Sequence, residues 1–117
     1  MFTRSDVKCG DILWTQFDPG VGHEFQDKRP ALVVQNDGQL AKSNLITLVA
    51  MTGNIRNKME DDIIIEPDEK NGLRSASVIK VYDITSFDYQ RIFGKIGKAS
   101  EQIMVEVRRY LEKHFGL

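Results

Sequence analysis

The chain has 117 residues, 41% hydrophobic and 28% charged, with a formal net charge of −1 and a single cysteine, Cys9. These figures describe one globular domain that can bury its core without disulfides, and they exclude a disulfide scaffold and a protein that coats nucleic acid by neutralising many phosphates. The amino-terminal stretch carries no apolar run of signal-peptide length, and no segment approaches the length that spans a bilayer, so a cytoplasmic, membrane-free protein is expected.

Gly10 opens a strand predicted over about Asp11 to Phe17, with Ile12 and Trp14 on one face and Leu13, Thr15 and Phe17 on the other. Asp18, Pro19, Gly20 and Gly22 then read as a loop, followed by a buried strand, Ala31 to Gln35, that holds Arg29 at its mouth. His23, Glu24 and Arg29 are expected to converge from this hairpin-like unit. A helical turn is expected around Lys42 and Ser43. Further strands are predicted over Leu45 to Met51, Asp62 to Glu66, Ser77 to Ile84 and Ile92 to Ile96, all short, mostly β-branched and bounded by Gly, Asn, Asp or Pro. Six short strands in series suggest a small barrel. The runs Leu45 to Met51 and Ile63 to Ile65 are too apolar for a sheet wetted on one side, so a helix or a second subunit should cover them. Ser100 is a good N-cap, and Ile103, Met104, Val107, Tyr110, Leu111 and Phe115 follow at helical spacing. The fold class is therefore mainly β with a carboxy-terminal α-helix, in one domain without repeats or linkers.

Acidic residues crowd between Glu60 and Glu69, leaving Lys28, Arg29, Arg56 and Lys58 as a comparatively basic stretch. The two histidines, His23 and His114, lie far apart and match no zinc spacing, and Asp61 and Asp62 read as solvated edge charge, so no metal is expected. The glycines around Val21 lack the pattern of a nucleotide-phosphate loop, and no serine elbow is present, so no cofactor is expected either. A metal-free set of Arg, His, Thr and carboxylate suits a phosphodiester that carries its own nucleophile. RNA is such a substrate: its 2′-hydroxyl can attack the adjacent phosphorus, and an arginine fork matches the resulting phosphorane.

Gly10-Asp11-Ile12 with Trp14, Phe17-Asp18-Pro19, Gly22-His23-Glu24, Arg29 to Val34, Asn36-Asp37, Met51-Thr52, Ser77-Val78, Lys95-Ile96-Gly97 and the final helix occur in an order and spacing that resemble the MazF/PemK (Kid) toxins of bacterial type II toxin–antitoxin modules. The resemblance implies an SH3-like barrel of the MazF/CcdB type, usually dimeric. Such toxins cut single-stranded RNA at short sequences without metal, leaving 2′,3′-cyclic phosphate and 5′-hydroxyl ends. A cognate antitoxin would inhibit it, and operator DNA would be met mainly through the antitoxin complex. Carried over by position, Arg29 resembles the catalytic arginine and Thr52 the threonine at the scissile phosphate, while His23 and Glu24 fall at positions implicated in RNA contact or proton transfer. Lys28, Asn54, Arg56, Lys58, Lys80 and Tyr82 would contact RNA, the last two standing where plasmid-borne relatives carry arginine and aspartate. The alternatives are a CcdB-like gyrase-binding toxin, or a member that binds RNA or antitoxin without turnover. The first lacks the tryptophan near the chain end that CcdB-like proteins share, since this chain finishes His114-Phe115-Gly116-Leu117.

Overall fold

The structure, a computed structural model, describes residues 6–17 and 28–117. Among the described residues, six antiparallel strands form one sheet: β1 (Asp11–Gln16), β2 (Lys28–Val33), β3 (Leu45–Thr52), β4 (Ile63–Ile65), β5 (Ser77–Asp88) and β6 (Ile92–Lys98), in the spatial order β4-β5-β3-β2-β1-β6. A four-residue turn of helix, α1 (Asp37–Leu40), precedes β3, and α2 (Glu101–Phe115) closes the chain. All six predicted strands form. The sheet curls into a half-barrel with the helix packed on one face.

Alternation along the strands divides the core in two. Ile12, Leu32, Val49, Met51, Ile63, Ile65, Ile79 and Val81 point to the face covered by Met104 and Val107 of α2. Leu13, Ala31, Val33, Ile46 and Leu48 point the other way, where Val7, Leu40 and Ile92 complete a second cluster. The apolar runs thus find their cover within the chain: α2 on one face, and the residues before β1 with α1 on the other. Leu45 and Ile64 are the residues of those runs that stay exposed. Each fully buried Leu, Ile or Val side chain contributes about 1.5–3 kcal/mol by leaving water.

Two ends of the helix are chemically marked. The Ser100 side chain accepts from Ile103 N at 3.2 Å, and Gly116 takes a left-handed conformation (φ 71°) that lets its N–H reach the Lys113 carbonyl. The expected helical turn lies earlier than Lys42 and Ser43. It begins after Asn36, whose side chain accepts from Gly38 N at 2.7 Å, and it buries Leu40.

The curl comes from β5. Its register against β3 jumps between Ala50↔Lys80 and Val49↔Ile84, so Val81, Tyr82 and Asp83 bulge from the ladder and the strand bends. The outer edge of β6 is sealed by the segment after β4, where Lys98 N donates to the Lys70 carbonyl at 2.9 Å. Gly97 permits this approach, because a Cβ there would collide with the backbone of Asn71.

Candidate functional site

Arg29 lies on the face shared by Ala31 and Val33, away from α2, and is paired across the ladder with Thr15 of β1. Thr15 is fully buried, its hydroxyl donating to the Leu13 carbonyl at 3.1 Å. On the other flank the β2–β3 ladder ends at Ala31↔Ala50, and Arg29 and Thr52 each lie two residues beyond that last pair, at the same end of the sheet and, by alternation, on the same face. The apolar cluster of this face therefore gives way, toward one end of the sheet, to Thr15, Arg29 and Thr52. Arg29 is half-buried, with its guanidinium 5.7 Å from the centre of the Phe17 ring. Three consecutive zero-exposure residues, Ala31 to Val33, hold its strand rigid.

Thr52 starts a chain of local hydrogen bonds. Its hydroxyl accepts from Asn54 N at 3.2 Å, and the Asn54 side chain accepts in turn from Arg56 N at 3.2 Å. Residues Ile55–Asn57 thereby form a single 3₁₀ turn that exposes Asn54, Arg56 and Lys58. This exposed loop lies directly beyond Thr52, at the end of β3. Lys28 is different: alternation puts it on the opposite face of β2 from Arg29, with its ammonium 4.4 Å from the centre of the Phe93 ring. His23 and Glu24 lie outside the described residues, as does their expected convergence on Arg29.

Lys80 and Tyr82 are both engaged within the chain. The Lys80 ammonium donates to Asp62 Oδ2 at 2.6 Å and to the Asn57 carbonyl at 3.1 Å. Tyr82, inside the β5 bulge, donates from its hydroxyl to Asp61 Oδ2 at 2.7 Å and stacks on His114, with ring centres 4.5 Å apart. It sits against the carboxy-terminal end of α2, where Lys113 also reaches Asp61 at 2.9 Å. The hydrogen bond from Tyr82, with Lys113 behind it, lowers the Asp61 pKa below the ordinary carboxylate range. The same bond raises the Tyr82 pKa, because the carboxylate favours a protonated phenol.

The reading of Asp61 and Asp62 as solvated edge charge is corrected by these contacts. Asp62 is 8% exposed and continues the β4–β5 register Ile63↔Ile79 so as to face Lys80. Both aspartates join the β3–β4 loop to the rest of the fold. Opposite charges across two strands would have disclosed the Asp62–Lys80 pair, but only with the strand register in hand.

The architecture is that of the MazF toxins. MazF from Deinococcus radiodurans (Form-I) superposes with a TM-score of 0.76 at 23% identity, covering 95% of this chain and 97% of that one. A MazE–MazF structure (Form-II) from the same organism gives 0.74 at 22% identity, over 95% and 96% of the two chains. Sequence carries the assignment further: the chain is 34% identical to endoribonuclease EndoA of Bacillus subtilis (strain 168) over 112 residues, 95% of this chain and 96% of that protein. The family model of the PemK-like, MazF-like toxins of type II toxin–antitoxin systems matches residues 8–115, and the chain belongs to that family.

Proposed function

We propose that this protein is the toxin of a toxin–antitoxin module and acts as a sequence-selective endoribonuclease on single-stranded RNA, in the cytoplasm and without a metal ion. The observation that carries the reading is a permanent cation, Arg29, paired with Thr15 at the end of the sheet where β3 finishes in Thr52. A 2′-hydroxyl attacking the adjacent phosphorus builds negative charge on the phosphoryl oxygens. The Arg29 fork donates to those oxygens and Thr52 orients the phosphate. The bond to the 5′-oxygen then breaks, leaving a 2′,3′-cyclic phosphate and a 5′-hydroxyl. A guanidinium holds its proton too firmly to serve as a base, so Arg29 stabilises charge, and His23 and Glu24 are the candidates for moving protons.

The loop beyond Thr52 supplies Asn54, Arg56 and Lys58 to the RNA, with Lys28 at the sheet's end. The named family and its endoribonuclease relatives support the activity, and the MazE–MazF structure supports a cognate antitoxin as inhibitor. A homodimer is proposed from the resemblance to the family, whose members are usually dimeric. The α2 groove between Val105, Leu111, Phe115 and Leu117, about 470 Å³, offers exposed apolar surface for such contacts. Operator DNA is expected to be met through the antitoxin. Purified protein should cut single-stranded RNA in excess EDTA, with cyclic phosphate on one product and 5′-hydroxyl on the other. Cutting that requires added divalent metal, or that leaves 5′-phosphate ends, would reject this chemistry.

A further inference from the structure

The segment between β3 and β4 is short, exposed and polar, yet it is tied down from below by an ion pair. Asp62 Oδ2 accepts from Met59 N at 2.9 Å, which closes the last turn of the segment, and accepts from Lys80 Nζ at 2.6 Å. Lys80 uses a second donor on the Asn57 carbonyl at 3.1 Å, in the middle of the same segment. Its side chain is 25% exposed and that of Asp62 is 7% exposed, so solvent screens this pair less than a surface ion pair. One ammonium thus grips the segment at two points from the neighbouring strand β5. The first residues of the segment hang on Thr52 through the Asn54 N–H, so what moves the segment also moves the Thr52 hydroxyl.

We propose that Lys80, acting through Asp62 and the Asn57 carbonyl, is a positioning residue that fixes the shape of segment 53–62, and with it the RNA sequence that is cut, without itself touching RNA. The proposal rests on the nuclease reading for its consequence, but its structural half does not. A lysine suits this role: its three donors radiate from one nitrogen, so it can serve a carboxylate and a carbonyl that do not share a plane.

Lys80→Met and Asp62→Asn separate positioning from contact, because positioning gives the two variants the same sign and contact gives them opposite signs. A positioning Lys80 makes both variants behave alike. Each loosens the segment, lowers kcat and broadens the pattern of cut sites, and the double variant is no worse than either single one. A phosphate-contacting Lys80 is released by Asp62→Asn, so that variant would bind RNA more tightly. Lys80→Met would then bind more weakly, and its slope of log affinity against log salt would fall by about 0.7. Opposite effects, or that change in slope, would overturn the proposal. Amide exchange on the RNA-free proteins gives a readout that does not depend on nuclease activity. Exchange over residues 53–62 should rise by about tenfold or more in both variants while that of β1 to β3 holds. Unchanged exchange in that segment would overturn the anchoring itself, whatever the fate of the nuclease reading.

Discussion

Replacing Arg29 by alanine is expected to lower RNA cutting by about 10³-fold or more while leaving the fold intact. The size follows from the geometry. Arg29 is paired with Thr15 at the Thr52 end of the sheet, on a strand whose last three residues, Ala31 to Val33, are fully buried, so in the proposed chemistry its charge is held where phosphorane charge develops. In the partly dry setting of a half-buried site, each fixed donor is worth far more than in water. Arg29 is half-buried, with its guanidinium 5.7 Å from the Phe17 ring centre, and belongs to neither apolar cluster, so its loss should move the melting temperature by only a few degrees. Lysine at this position keeps the charge but loses the planar fork, and an intermediate rate is expected. Single-turnover cleavage of a defined oligonucleotide, beside a melting curve, measures both. An unchanged rate in folded Arg29→Ala protein would remove the arginine from the chemistry.

The largest expected effect on stability comes from Asn71, a fully buried residue in the segment that seals the β6 edge. Its Oδ1 accepts from Asp68 N at 3.2 Å and from Leu73 N at 3.0 Å, while Nδ2 donates to the Glu66 carbonyl at 2.8 Å. Asn71→Leu keeps the branched shape and the heavy-atom count and strips all three partners at once. Each buried polar group left unpaired costs about 1–3 kcal/mol, and some will find other partners, so a loss of about 3–5 kcal/mol is expected. Against a typical total of about 5–15 kcal/mol this is a large fraction. Urea unfolding gives the number directly, and a change below about 1 kcal/mol would show that the segment does not depend on this side chain.

Asn71 also shows where reading the sequence alone stops. The strands are legible because runs such as Leu45 to Met51 and Ile63 to Ile65 are β-branched, apolar and bounded by breakers. Helix α2 is legible because Ser100 caps a stripe of apolar residues at helical spacing. The extension of β5 to Asp88 is not, since it depends on a bulge at Val81 to Asp83 that no local pattern announces. Asn71 looks like one more turn residue until the β6 edge is seen to lie against it.

The site divides in the same way. Arg29 is expected at the end of its strand, and it is found there, across from Thr15. That Thr52 ends its strand on the same face and at the same end of the sheet follows from register, and register is a tertiary fact. Lys80 and Tyr82 could be placed by position in the family pattern, yet what they touch depends on Asp61 and Asp62, which the same pattern leaves looking like surface charge.

In the proposed chemistry RNA's own 2′-hydroxyl is the nucleophile that Arg29 and Thr52 serve. The direct measurement uses one oligoribonucleotide containing a cut site and a twin with a single 2′-deoxy substitution on the nucleotide 5′ of the scissile bond. Cutting of the first and resistance of the second at that bond, with both still bound, is the expected result. Cutting of the twin at an undiminished rate would mean that another nucleophile attacks, and the proposed chemistry would be wrong.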